Sequence, residues 1–265
     1  MDGIIEFRRF HEILYSRQDE KINYTKKGFR PAKVRAYLIH NILRNFKNGN
    51  IADIGCGEGF FLTSLSSKFE KLIGIDFSLP SLKKLKQIID DKKYGNIDII
   101  LADAHAVPIR DKVFDFALCM ETLEHIYDPR RGLMELRRIS KDKILITVPC
   151  YSNETRRKTT DRLGISITEY LKSIYKVTKT THIHSFSESS LLNMVDVAGL
   201  KIEEMIRFGF VSFAFHLLDK AISLNINPKI EYVLTKLDIM LGKIPIYRSS
   251  LLSWGNTDCL ILLKV

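Results

Sequence analysis

Residues Asn50-Ile51-Ala52-Asp53-Ile54-Gly55-Cys56-Gly57-Glu58-Gly59-Phe60-Phe61 decide how this chain is read. Ile51 to Ile54 is a short, mostly apolar run of the kind that forms a buried strand. It breaks into glycines at alternate positions, Gly55, Gly57 and Gly59, and an apolar helical pattern restarts at once with Phe60, Phe61, Leu62 and Leu65. A strand that ends in glycines and restarts as a helix is a nucleotide-binding turn, because a backbone without Cβ tolerates positive φ and lets a ligand lie against it. The spacing is neither the dinucleotide fingerprint G-x-G-x-x-G nor the phosphate loop G-x-x-x-x-G-K-[ST]. Asp53 stands before the first glycine. A carboxylate there repels a pyrophosphate and can receive a cationic amino group. A plain glycine turn is the alternative reading of these residues alone.

Strand and helix patterns alternate downstream. Lys71 to Ile75 reads as a buried strand, with Asp76 and Phe77 after it, Ser78 placed as a helix N-cap and Pro80 just inside the helix. Asp76 falls about 20 residues after the glycine turn, where a carboxylate can accept both hydroxyls of a ribose. Its alternative is a carboxylate at a helix N-terminus. Phe77 can stack on a base. Ile97 to Leu101 reads as a third strand followed by Asp103 and Ala104, and Phe114 to Met120 as a fourth. Asp128-Pro129 opens a helix to about Ile139, and Lys143 to Val148 is a fifth strand. Ser185 to Glu188 reads as a capping box for a helix ending at Gly199. Lys201 to Arg207 is a sixth strand and Asp258 to Val265 a last one. Alternation of this kind predicts an α/β fold with a doubly wound, mostly parallel, Rossmann-like sheet.

Together these residues carry a resemblance. Asp53-x-Gly55-x-Gly57-x-Gly59 closely resembles the first motif of the class I methyltransferases that use S-adenosylmethionine. The segments Glu121-Thr122-Leu123-Glu124-His125-Ile126, Asp128-Pro129, Leu133 to Ile139 and Lys143 to Pro149 are similar in order and spacing to small-molecule members, the ubiquinone-biosynthesis O-methyltransferase-like group (methyltransferase type 11). The likeness covers about residues 50–207. It implies a seven-stranded sheet whose last strand enters antiparallel beside the sixth. It implies S-adenosylmethionine as cofactor and S-adenosylhomocysteine as product. Asp53, Gly55, Cys56, Gly57 and Gly59 then form the cofactor turn, with Asp76 and Phe77 at the nucleoside. Asp103 would accept the adenine amino proton and the Ala104 amide would donate to the ring. Met120 and Glu121 would neighbour the methionine part.

Methyl transfer from a sulfonium is an in-line displacement, so the protein mainly aligns donor and acceptor. A base is needed only where the acceptor must lose a proton. The candidates are His125, at the carboxyl edge where doubly wound sheets bind ligands, and Glu124, His182 and His184. A hydrogen-bonded structural histidine is the competing reading for each. His182 and His184 alternate as strand neighbours do, but no third ligand has matching spacing and no metal is predicted. Cys150, just after the fifth strand, reads as a buried thiol.

The chain has 265 residues, 45% hydrophobic, which suits one large domain. We read 1–265 as a single methyltransferase domain. Residues 1–49 are N-terminal helices with a lid, 50–207 the cofactor core, 149–184 and 208–253 helical substrate-side or packing insertions, and 257–265 the last strand. A helix is expected from about Ala32 to Phe46, and Tyr15, Tyr24 and Arg30 can face a substrate. The insertion brings Tyr151, Arg156, Arg157, Lys158, Lys172, Lys176 and Lys179, suited to an anionic acceptor or to a solvated face. The apolar run Phe208 to Leu218 suits a packed helix, an acceptor pocket, a dimer surface or peripheral membrane contact. Another helix spans about Ile230 to Leu241.

The formal net charge of +10 keeps RNA methylation as a second reading, although neither an Asn/Asp-Pro-Pro-aromatic motif nor an added RNA-binding module is found. A non-catalytic cofactor-binding scaffold is a third. A nicotinamide oxidoreductase fails on glycine spacing. Four cysteines without C-x-x-C spacing read as reduced thiols, hence a cytoplasmic enzyme. The N-terminus has charges within its apolar pattern, unlike a signal peptide, and no apolar run reaches spanning length. The leading expectation is methylation, by an O-methyltransferase, of a small-molecule or lipid- or sugar-linked acceptor. The acceptor atom and the oligomeric state stay open.

Overall fold

The structure, a computed structural model, describes residues 31–46, 48–150, 183–208 and 257–265, together with 233, 234, 236, 237, 240 and 241. The expectations for Tyr15, Tyr24, Arg30, most of the 149–184 insertion with His182, and nearly all of 208–253 lie outside these residues.

Helix α1, Pro31–Ile42, precedes the sheet and ends in a 3-10 turn, Leu43–Asn45. It is shorter than expected because Phe46 is extended and packs edge-on against Phe116, with ring centroids 5.4 Å apart. The following elements are β1 (Asn50–Ile54), α2 (Phe60–Leu65), β2 (Lys71–Asp76), α3 (Leu79–Lys92), β3 (Ile97–Leu101), β4 (Phe114–Met120) and α4 (Pro129–Ile139). Then come β5 (Ser140–Cys150), α5 (Glu188–Val197), β6 (Lys201–Phe208) and β7 (Thr257–Lys264).

The strands form one seven-stranded sheet in the order β3-β2-β1-β4-β5-β7-β6. Pairs among β1 to β5 are parallel, and β7 runs antiparallel between β5 and β6. This is the mostly parallel Rossmann-like sheet expected, with its antiparallel last strand. β5 is longer than the apolar run Lys143 to Val148, because β7 continues to pair with it through Cys150↔Thr257.

Side chains alternate across the sheet and build two cores. Ala52, Ile54, Ala117 and Cys119 pack with α4 and α5 on one face. Ile51, Phe116 and Leu118 pack with α1, α2 and α3 on the other. Leu133, Leu136 and Ile139 of α4 are fully buried, each contributing about 1.5–3 kcal/mol of apolar transfer. Asp128 starts that helix by accepting from the Arg130 and Arg131 amides, and Ser78 caps α3 by accepting from the Ser81 amide. Gly199 terminates α5 at φ 67°.

One cap is corrected. The α5 N-cap is Ser187, not Ser185, and its reciprocal partner is Ser190, not Glu188. Phe186 forms a parallel bridge with Cys150, which keeps the backbone extended past Ser185 and moves the helix start onward.

Candidate active site

The strand order reverses direction beside β1, between β2 and β4. Doubly wound sheets bind ligands at the carboxyl edge of such a switch point. Four chain segments meet there: the glycine turn after β1, Asp76 at the end of β2, the loop after β3, and residues 121–127 after β4.

The turn is held by its own amides. The Gly55 and Cys56 N–H groups both donate to the Ile75 carbonyl, at 2.7 and 3.2 Å. The Gly57 N–H donates to Asp76 Oδ2 at 2.8 Å, and the Ser78 N–H donates to Asp76 Oδ1 at 2.8 Å. Gly55, Gly57 and Gly59 all have positive φ, at 76°, 53° and 76°. They differ in what surrounds them. A Cβ on Gly55 would lie 2.2 Å from Thr122 Cγ2, and one on Gly59 would lie 2.3 Å from Leu85 Cδ1. A Cβ on Gly57 would meet nothing within 4 Å. Two glycines therefore serve packing, and the middle one faces open space. Cys56 contributes a buried thiol beside Gly74, and burial raises its pKa well above the ordinary thiol value.

Asp53 is 1% exposed, and its Oδ1 has no hydrogen-bond partner among the described residues. Burial pushes its pKa well above the usual carboxylate range, and the neighbouring charge of Asp76 adds to the effect. Burial also raises the Asp76 pKa, opposed by the amides that donate to it. Two buried carboxylates with one unpartnered oxygen form a place where a cation or a set of hydroxyl donors relieves an unfavourable arrangement.

Phe77 is half-buried beside Asp76. Asp103 and Ala104 are also half-buried, and Asp103 Oδ1 accepts from the His105 amide at 2.9 Å. Met120 turns its side chain into the core, and its carbonyl accepts from Thr122 Oγ1 at 3.0 Å. Glu121 follows with φ 51°, a left-handed conformation rare for a side chain of its size. Its N–H donates to the Thr147 carbonyl at 2.9 Å, and its carboxylate pairs with Arg35 Nη1 of α1 at 3.1 Å.

Glu124 is fully buried, and its carbonyl accepts from the Ile183 and His184 amides at 2.9 and 3.1 Å. His125 is half-buried, with Nε2 3.7 Å from Glu124 Oε1. His184 Nε2 lies 3.0 Å from the Ile126 carbonyl and 3.2 Å from that of Tyr127, so this nitrogen carries the proton and donates. Its ring stacks on Phe186 at 6.2 Å, and burial lowers its pKa. His184 thus fastens the 121–127 loop to the chain entering α5. Among the described residues no group of three or more His, Cys, Asp or Glu forms a metal site.

Residues 52–146 match the family model described as a methyltransferase domain. Over these residues the chain carries a methyltransferase domain. A ubiquinone biosynthesis O-methyltransferase of Nitrosomonas europaea is 24% identical over 204 residues, covering 76% of this chain and 82% of that protein. The YcgJ protein of Bacillus subtilis superposes with a TM-score of 0.57 at 14% identity, over 86% of this chain and 97% of that one. Geranyl diphosphate C-methyltransferase of Streptomyces coelicolor A3(2), in complex with S-adenosylhomocysteine, superposes at 0.61 with 12% identity, over 88% of this chain and 75% of that one. The methyltransferase domain is an S-adenosylmethionine-dependent enzyme. Its carboxyl edge fits that cofactor: an open backbone over Gly57 and a buried carboxylate oxygen without a partner lie side by side.

Three residues at this edge escape a reading of sequence alone. Arg35 has no local signal, because its partner Glu121 is remote in the chain. Thr122 follows the strand end, but its packing on Gly55 depends on the β1–β4 pairing. His105 had the only usable signal, its place two residues after Asp103. No helix among the described residues is long and apolar enough to cross a membrane.

Proposed function

We propose that the chain transfers the methyl group of S-adenosylmethionine to a hydroxyl oxygen of a small-molecule acceptor, free or lipid- or sugar-linked. The observation that carries this reading is the buried Asp53 carboxylate with its unpartnered Oδ1, at the edge of a turn whose central glycine faces open space. The match to O-methyltransferases over 76% of the chain favours oxygen as the accepting atom.

The cofactor, when bound, supplies an already activated methyl group on a sulfonium. The remaining work falls to the chain. Asp53 takes the cationic end, and the gain there is large because the carboxylate is already desolvated. Gly55, Cys56, Gly57 and Gly59 bring the backbone close. Asp76 keeps lone pairs for the ribose hydroxyls while the Gly57 and Ser78 amides hold it in place. Phe77 stacks on the base, Asp103 and the Ala104 amide read its edge, and Met120 with Glu121 borders the amino-acid part.

We assign the proton-accepting role to His125. Glu124, fully buried beside it, orients its ring, and His184, whose Nε2–H is engaged by two carbonyls, holds the loop. Residues 1–265 act in this reading as one domain, in the cytoplasm, where the four buried cysteines stay as reduced thiols.

The test is transfer of an isotope-labelled methyl group to a panel of phenols, catechols and lipid-linked alcohols, with mass spectrometry of the product. Labelled ether products that disappear in His125→Ala, with S-adenosylhomocysteine affinity retained, support the assignment. Label found only on nitrogen, carbon or RNA refutes it.

A further inference from the structure

Asp103 Oδ1 takes two hydrogen bonds from one residue, the His105 amide at 2.9 Å and the His105 ring Nδ1 at 2.6 Å. The other ring nitrogen settles the tautomer. The Asp128 backbone N–H donates to His105 Nε2 at 3.0 Å. An amide N–H only donates, so Nε2 carries the lone pair and Nδ1 carries the proton. The His105 carbonyl accepts from Arg131 Nε at 3.1 Å, and Asp128 Oδ1 accepts from the Arg130 and Arg131 amides at 3.1 and 3.2 Å. One imidazole therefore ties the loop after β3 to the first turn of α4. Methyl transfer itself makes no use of this ring.

We infer that His105 is a positioning residue for purine recognition: it orients the Asp103 carboxylate so that the site separates a 6-amino purine from a 6-oxo purine. This rests on the reading of Asp103 as the acceptor for the cofactor's adenine amino group. A carboxylate only accepts, so it pairs with an amino group and opposes a carbonyl. That opposition discriminates sharply only when the carboxylate cannot swing away, since a site built for one hydrogen bond rejects the analogue that leaves it unpaired. The two donors of His105 on one oxygen hold the carboxylate before the ligand arrives, which lowers the ordering cost of binding.

The experiment compares S-adenosylhomocysteine with S-inosylhomocysteine, by calorimetry on the full chain, in the native protein and in His105→Ala, His105→Asn and His105→Gln. The native protein is expected to prefer the adenine ligand by about tenfold or more. His105→Asn puts an amide donor near the Nδ1 position and should keep that preference within about twofold. His105→Gln offers an acceptor to the Asp128 amide but no donor at the Nδ1 position, and its preference should fall by about fivefold, as in His105→Ala. The ratio is taken within each protein, so a general loosening that weakens both ligands alike does not move it. A native-like ratio in the Gln or Ala variant overturns the role of His105. Equal binding of both ligands by the native protein overturns the reading of Asp103 instead, so the two failures are distinct. Should the Ala variant not fold, the Gln variant decides.

Discussion

Arg35 of α1 and Glu121 at the end of β4 form an ion pair of 3.1 Å in a partly buried setting, with side chains 14% and 24% exposed. The pair fastens the helix before the sheet to the strand end beside the glycine turn. Glu121 itself has a left-handed backbone, and its N–H donates to the Thr147 carbonyl. Arg35→Ala should cost about 1–3 kcal/mol, between the values for exposed and buried pairs. Arg35→Lys should fall in between, since it keeps the charge and loses the planar fork. Urea denaturation of the three proteins measures both.

Asp53 should trade stability against binding. Its folded pKa is raised by burial and by Asp76, so the folded chain holds its proton more tightly than the unfolded chain. Its contribution to stability is therefore present below the unfolded value, about 3.9, and is lost as pH rises toward the folded value. Asp53→Asn should raise the melting temperature of the ligand-free protein near neutral pH and flatten its pH dependence. The same change should weaken S-adenosylmethionine by about tenfold or more, because the cationic end then meets a neutral amide. Thermal melts with and without cofactor read both effects, and a variant that melts lower without ligand while binding normally would contradict the assignment.

The three glycines should not respond alike. Gly55→Ala forces a Cβ into Thr122 as well as a methyl onto a positive φ, and should destabilise by about 3 kcal/mol or more. Gly57→Ala carries only the backbone strain, about 1–2 kcal/mol. Its larger effect should appear in cofactor affinity, because the new methyl fills the space over the turn. Denaturation paired with calorimetry separates the two.

His184 should make the fold acid-sensitive. Its folded pKa is lowered by burial, the largest influence, against the raising effect of the Tyr127 and Ile126 carbonyls and Asp128. The unfolded chain then takes up the proton first as pH falls through about 6.5, and stability drops between that value and the lower folded one. His184→Gln should be less stable at pH 8 and should lose less stability between pH 7 and pH 5 than the native protein. Melting temperatures across that range, roughly the histidine titration window, provide the check.

The corrected cap can be read directly. Ser187→Ala removes the acceptor for the Ser190 amide and should cost about 1 kcal/mol, whereas Ser185→Ala should change stability by about 0.5 kcal/mol or less. Equal costs would count against Ser187 as the cap.

Much of this architecture is legible in local pattern. The apolar runs at β1, β2 and β4, the Asp128-Pro129 start of α4 and the Gly199 stop of α5 are signals within a few residues of where they act. Local pattern falls short where a remote strand intervenes. β5 extends to Cys150 because β7 pairs along it, and the α5 cap shifts to Ser187 because Phe186 bridges to Cys150.

Sequence by itself determined the fold class and the glycine turn with Asp53 ahead of it, because strand and helix periodicity and glycine's conformational freedom are local properties. Tertiary structure decided what those residues face. Only the parallel pairing of β1 with β4 sets Thr122 against Gly55, and only the assembled sheet buries Asp53 beside Asp76. Arg35 beside Glu121, and His105 between Asp103 and Asp128, are likewise meetings of separate loops. Burial and charge proximity are properties of the packed whole, and they set a buried carboxylate oxygen without a hydrogen-bond partner among the described residues beside the glycine turn.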